Sequence, residues 1–288
     1  MSFIRRELTA IISIGGGQYG TEIEEVITVK NCRMSVDINI NGGESMGEMN
    51  CRIFGLSLAL MNRLTTIGAI MQQIRFKNLI QIDATDENGV PRTIFTGNIA
   101  TAYADMNSAP DVSLIIQSYS GGGIAIRPQD PISYSAPVSV DQVMRDLAQK
   151  AGLTSQNHGV DGIMLDRPYL KGSLLDMIRK VAQSAMPAVN YSIENGILSY
   201  WKVGGNLTDP EQIISPGKNM VGYPTYASSN VIVNALFMPF ARLGSRIKIE
   251  GSELTPVNQT WTAFQVAHQL DSITPNGRWF TSLLVGKT

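Results

Sequence analysis

Glycines 15, 17 and 20 stand in the order G-x-G-x-x-G, directly after a short apolar run from Leu8 to Ile14. In a dinucleotide-binding fold that spacing lets the backbone approach a pyrophosphate. A helix opening at the third glycine then turns its free N–H groups toward the phosphate. The residues after Gly20 argue against such a helix: Thr21 to Val29 alternates in steps of two and is rich in β-branched side chains, the habit of a strand. The motif therefore reads as a glycine-rich β-turn. Gly121-Gly122-Gly123 is followed by no Gly-Lys-Ser/Thr, so it lacks the lysine and hydroxyl of a phosphate loop. Asp83, Asp86 and Asn88-Gly89 have the wrong ligand spacing for a calcium loop and no bidentate glutamate. A hairpin turn needs the same residues.

The two histidines, His158 and His268, are far apart in sequence, and neither has a nearby Cys or His to form a metal pair. A hydrolytic triad would need one of them beside a nucleophile and a carboxylate, and no Gly-x-Ser-x-Gly elbow is present. Both read as structural. Glu24 and Glu25 fall on opposite faces of a strand and cannot share a substrate. Cys32 and Cys51 are too few for a structural zinc site, imply no disulfide framework and read as small core residues on strands. The sequons Asn206-x-Thr208 and Asn258-x-Thr260 have meaning only in a secreted chain. The denser basic points are Arg5-Arg6, Arg75, Lys77 and the group Arg242, Arg246, Lys248. They lack the interleaved aromatics of a base-stacking face and read as solvated surface or subunit salt bridges. No catalytic, cofactor-binding or metal-binding residue is assigned, no cofactor is expected, and the residues of any interface stay unassigned.

Composition narrows the class further. Lys+Arg is 23 and Asp+Glu is 24, a net charge of -1, which argues against a dominant nucleic-acid footprint. Charged residues make up only 16% of the 288, and neutral polar residues take their place. Neutral polar groups cost less to bury than ions, and interface cores are likewise poor in charge. The N-terminus carries charges but no long apolar run, so neither a signal peptide nor a membrane span is expected. The chain is expected to be made and kept in a cytoplasm until something larger carries it out.

The elements that must position these residues fall into three groups. Residues 1–120 read as β-structure: alternating strands at 8–14, 23–29, 36–40 and 49–54, a short helix capped by Ser57, and an Asn-Gly hairpin around Gly89. Residues 121–137, with three glycines and three prolines, predict a junction with little regular structure. Residues 138–205 change period. Ser139 with Gln142 predicts a capping box for a helix ending at Gly152, and a second helix opens at Ser173, with Asp176 three residues on, and ends at Pro187. A hairpin turning at Asn195-Gly196 follows. Residues 206–288 return to β, with a turn-rich connection at 272–278. The class is α+β, mainly β: two β-barrel-like domains, 1–120 and 206–288, flank a small two-helix α+β domain at 138–205.

Several stretches resemble hub proteins of contractile phage baseplates. They are Asn62-Arg63-Leu64-Thr65-Thr66-Ile67-Gly68, the run from Phe95 to Asp105 with Ala109-Pro110-Asp111-Val112, the Tyr169 to Pro187 helix with its hairpin, and Asp271 to Trp279. None of these is chemical; their order and spacing over nearly the whole chain carry the likeness. The hub part of type VI secretion spikes is similar too. The resemblance implies a homotrimer in which two related β-barrel-like domains per subunit build a ring of near-sixfold symmetry. One side would match the hexameric tail tube, the other would seat the trimeric central spike, and an injection channel would run through the middle. Other baseplate proteins and a tape measure protein are further implied partners; a membrane and sequence-specific nucleic acid are not. Some relatives carry a fused lysozyme or peptidase, and nothing in this sequence has the residues for one. The competing readings are a tail-associated cell-wall hydrolase and a small-ligand protein using the Gly15 to Gly20 turn.

Overall fold

A computed structural model of the chain describes residues 6–15, 25–41, 45–65, 77–126 and 128–287, excepting the Pro128 side chain. Alternation builds its main sheet. In β1 (Leu8–Ile14) the side chains of Leu8, Ala10 and Ile12 are buried and their neighbours are half exposed. The same two-residue period buries Met34, Val36, Ile38 and Ile40 in β3 (Met34–Asn41), and Met49, Cys51 and Ile53 in β4 (Glu48–Phe54). Successive strand side chains point to opposite faces, so one face of each strand is committed to the core.

The N-terminal strands order as β3-β4-β7-β6-β5-β1-β2, where β2 is Glu25–Lys30, β5 Leu79–Thr85, β6 Pro91–Asp105 and β7 Ser113–Tyr119. The C-terminal strands order as β16-β17-β20-β19: Met220–Ala227, Asn230–Leu236, Trp279–Gly286 and Thr260–Ser272. A short branch, β15 (Gln212–Ile214) on β18 (Arg246–Ile249), leaves from β19. The two groups are one 13-stranded sheet, because β19 pairs antiparallel with β3 from Gln265↔Asn41 to Ser272↔Met34. Arg278 fastens this ladder: its guanidinium donates to Asp37 at 2.7 Å, to Asp271 at 3.0 Å and to Ser35 at 2.8 Å. One apolar core runs through both ends, holding Ile38, Ile53 and Ile116 together with Val233, Ile247 and Leu283.

A second core holds the α+β unit. Helix α3 (Val140–Ala151) buries Val143, Met144 and Leu147, and α4 (Leu174–Ser184) buries Leu175, Ile178 and Val181. Both pack on the sheet of β10 (Thr154–His158), β14 (Ile197–Lys202) and β13 (Val189–Glu194). Gly152 stops α3 in the left-handed region at φ 70°, as its position predicts. The Ser173 box is complete: its hydroxyl accepts from the Asp176 amide, and the Asp176 carboxylate accepts from the Ser173 amide. The Ser139 box is not. Ser139 accepts from the Gln142 amide, but the Gln142 side chain turns outward to Asp146 at 2.7 Å, so only half of the expected box forms. Ser173→Ala is therefore expected to cost about 1–2 kcal/mol and Ser139→Ala roughly half that, read as shifts in the urea midpoint.

The α+β, mainly β class is what the chain shows, with short α1 (Leu58–Leu64) capped by Ser57 as predicted. Three expectations need correction. Residues 121–137 are not devoid of regular structure: α2 (Gly122–Ile126) is followed by β8 (Pro128–Ser133), which among the described residues pairs only with β12 (Tyr169–Ser173), and a two-stranded ribbon tolerates proline where the amide faces away. Two-residue β9 (Val138–Ser139) then pairs with β11 (Met164–Leu165). Cys32 lies in the bend between β2 and β3 rather than in a strand. Finally β10 runs parallel to β14, adding a strand that polar Thr-Ser-Gln-Asn-His did not announce. No described helix is long and apolar enough to cross a membrane.

Candidate functional site

The residues that invite chemistry are occupied by structure. Gly15, at φ 86°, closes β1 and donates its amide to Asn78 at 3.2 Å; residues 16–24, with the rest of the glycine motif, lie outside the described residues. The chain resumes as β2, paired with β1 from Ile14↔Glu25 onward. Asp86 accepts from the Asn88 and Val90 amides at 2.9 Å each and from Arg92 at 3.1 Å, and Asp83 accepts from Thr93 at 2.8 Å. These bonds shape the hairpin turn. Glu25 is paired with Arg63, while Glu24 lies outside the description. Burial pushes the Cys51 thiol up to about 12, with Asp37 adding to the effect, so it stays protonated and unreactive at neutral pH.

The histidines also serve the fold. The Nδ1 of His158 accepts from the Thr208 amide at 3.1 Å and meets the Thr208 hydroxyl at 2.8 Å. In β19, His268 lies beside Thr281 at 3.0 Å and edge-on to Phe237, 5.6 Å between ring centres. Thr281 already accepts from the Met238 amide, so its own proton is free for Nδ1. Burial pushes His268 down to about 4, so it is neutral at pH 7. Of the basic points, Arg242 faces Asp209 at 3.5 Å, Arg246 donates to the Asp209 carbonyl at 3.3 Å, Lys248 faces Glu250 at 3.1 Å, and Arg6 donates to the Gly277 carbonyl. Arg5 and Arg75 lie outside the described residues.

The surface offers a candidate of another kind. Among the described residues the 13-stranded sheet ends on β2 at one side and β16 at the other. Strand β2 begins and ends on a charge, Glu25 and Lys30, the usual guard of a free edge. Strand β16, Met-Val-Gly-Tyr-Pro-Thr-Tyr-Ala, carries no charge at all, and exposes Tyr223 (67%) and Tyr226 (55%). Beside it β17 exposes Ile232 and Leu236 on its outer face. Uncharged, aromatic and adjoining apolar side chains are the composition of an interface. Only Pro224 and a break in the pairing register between Val221 and Thr225 blunt this edge.

A second feature lies inside. The face of β13 and β14 turned from the helices carries Ser192, Glu194 and Ser199 beside Trp201, and it is covered by the main sheet. Ser192 pairs with Ser199, and Gln156 and His158 of β10 lie beside Ser199 and Trp201. Ser192, Glu194, Ser199 and His158 are all buried. From the other side Arg242 reaches across to the Ser199 hydroxyl at 2.6 Å. Burial raises the Glu194 carboxyl above its usual range, against the pull of Arg242, and lowers His158, which Asp209 opposes. Ser192, Glu194 and Ser199 lie on the hairpin face away from the helices, and the docking of the two units encloses them.

The fold itself has relatives. A tail protein from Neisseria meningitidis MC58 superposes with a TM-score of 0.60 at 9% identity, over 96% of each chain. The 43 kDa tail protein of prophage MuSo2 from Shewanella oneidensis gives 0.57 at 10%, over 97% of this chain and 98% of that one. The E. coli c3393 protein, a type VI secretion component described as structurally similar to T4 bacteriophage tail proteins gp27 and gp5, gives 0.59 at 8%, over 89% and 73%. At such identities the likeness is one of fold: the chain has the architecture of phage-tail and type VI secretion proteins. No curated protein matches it in sequence. The profile of the family described as baseplate hub gp41 matches residues 9–279, and the chain belongs to that family. It is a structural hub protein of a phage tail baseplate.

Proposed function

We propose that the chain is one protomer of a trimeric ring that joins the hexameric tube of a contractile tail to its trimeric central spike and surrounds the injection channel. The observation that carries this reading is the uncharged, aromatic edge of β16 at the end of an open sheet whose other end is β2. A free edge is a template for another strand, and closing a ring of copies removes it. In this reading the flanks 1–120 and 206–288 act as the two barrel-like wall segments of each protomer, and the α+β unit at 138–205 sits outside them. Support for a spike partner comes from the fold shared with the c3393 protein, whose own description likens it to gp27 and gp5. The work is mechanical and makes or breaks no covalent bond. Assembly takes place in the host cytoplasm before the finished tail leaves, and other baseplate proteins and a tape measure protein complete the contacts.

An obligate ring needs interfaces of more than ~2,000 Å² in total. Purified chain is expected to sediment and scatter light as three times 31.3 kDa, alone or once a spike protein is added. A species of 31.3 kDa that persists at every concentration with a spike protein present would remove the proposal.

A further inference from the structure

From β16 through β17, β20, β19, β3, β4 and β7 to β6, consecutive in the main sheet, no strand contains a lysine. Lysines stand elsewhere, among them Lys30 in β2, Lys150 in α3, Lys180 in α4, Lys202 in β14 and Lys248 in β18. On the face of these strands turned from the core, one row runs straight across by register: Gln269, Asp37, Asn50, Gln117 and Thr101, from β19 through β3, β4 and β7 to β6. All five are exposed or half-exposed, while their chain neighbours Val36, Cys51 and Ile116 are buried. The row crosses the joint between β19 and β3 without a break, so the N-terminal and C-terminal strands build one continuous surface.

The charges on this surface are masked. Arg278 donates to Asp37 and to Asp271, and Arg52 faces Asp105 at 3.9 Å. Glu48 accepts from the side-chain amides of Asn50 at 3.1 Å and Gln117 at 2.9 Å. Carboxylates therefore outnumber guanidiniums here. A polyanion is held by cations that displace its counterions, and these guanidiniums are already paired. A protein partner is held by aromatic or apolar anchors in desolvated pockets, and the row from Gln269 to Thr101 has none, unlike the β16 edge. Neutral amides give a moving phosphate backbone no fixed charge at which to stop. We propose that this face is the wall of the injection channel and that duplex DNA passes along it unheld. The proposal rests on the ring reading and names the surface that meets the cargo. Asp37 and Asp271 then have a second task besides fastening β3 to β19: they keep the Arg278 guanidinium from the passing phosphates.

The test adds lysines to the row: Asn50→Lys with Gln117→Lys and Gln269→Lys in the full chain, purified as the ring, alone or with a spike protein. Asn50→Lys with Gln269→Lys, at the two fully exposed positions, is the milder second variant. A linear duplex can thread a ring, whereas a covalently closed circular duplex of the same length cannot. The wild-type ring is expected to retain neither at low salt. Both variants are expected to keep the wild-type melting temperature. The triple variant is expected to bind the linear duplex at least about tenfold more tightly than the circle, with an affinity that falls as salt rises. Equal binding of the two duplexes would put the face outside the ring and overturn the proposal. Retention of the linear duplex by the wild type, or no binding by either variant, would overturn it too. If the chain never forms a ring, the ring reading fails and this proposal with it. If rings form and the lysine variants treat the two duplexes alike, the ring stands and the wall does not.

Discussion

Gly244→Ala is expected to destabilise the chain by about 3 kcal/mol, whereas Gly217→Ala costs about 1 kcal/mol. Both glycines hold left-handed backbone, φ +81° and φ +77°, which an L side chain enters at a cost of about 1–2 kcal/mol. The difference is what a methyl group meets. At position 217 nothing lies within 4 Å, while at 244 a Cβ would stand 2.8 and 2.9 Å from two atoms of the Trp201 ring and 3.2 Å from Leu207. Trp201 is 4% exposed and is the residue by which β14 enters the main core. Forcing an extra methyl against this ring costs about 1–3 kcal/mol more. The Gly244 backbone is committed as well, donating to the Ala263 carbonyl at 2.8 Å and accepting from the Leu207 amide at 2.9 Å. Urea unfolding of the two variants side by side separates the conformational cost, common to both, from the steric one. Equal midpoints would mean that the seam between the α+β unit and the sheet yields easily.

Acidification provides the second large effect. His268 has its pKa lowered by burial from 6.5 to about 4, so the unfolded chain takes up its proton first. Between those two pH values the unfolded state binds more protons than the folded state, and stability falls as pH falls. The contribution is intact above pH 6.5, is reduced by roughly 2 kcal/mol at pH 5 and by about 3 kcal/mol below pH 4. His158, lowered chiefly by burial, acts in the same direction, while the raised Glu194 acts oppositely, contributing stability that is lost as pH rises through its folded value. His268→Gln is expected to flatten most of the slope of unfolding free energy between pH 6.5 and 4, measured by urea titration at each pH. A slope unchanged by the substitution would mean that the imidazole is not the group responsible. Asp176 and Asp271, held low by hydrogen bonds, add a loss in the same direction that begins only as the unfolded chain's carboxylates take up protons, so the slope above about pH 5 belongs to the histidines.

Local chemistry was legible in the residues, and long-range enclosure was not. The strands around Ile12, Ile38 and Ile53, the Ser57 and Ser173 caps, the Gly152 stop and the hairpin at Asn195-Gly196 follow from period and turn chemistry. Strands β8 and β16 escape such a reading because proline and glycine interrupt them, and both lie at sheet margins where a missing amide is tolerated. Ser139 failed as a box because Gln142 had a better partner one turn on, in Asp146. The seam at Glu194 shows the deeper limit. Alternation says which residues share a face, but not whether another part of the chain will cover it. Ser192, Glu194 and Ser199 look like a wet face until the main sheet is laid over them. The β16 edge is similar: its lack of charge is visible in the sequence, but its position at the end of a sheet is not.

The ladder between β19 and β3 joins residues more than two hundred positions apart. During synthesis, residues 34–41 leave the ribosome long before residues 260–272, so one flank of β3 waits without its neighbour while more than two hundred further residues are made. Pairings of such sequence separation form slowly, and an open apolar strand is exposed to stray partners meanwhile. Early termination anywhere before Thr260 therefore leaves that flank of β3 without its partner, and completion of the sheet depends on the reach of a single late strand.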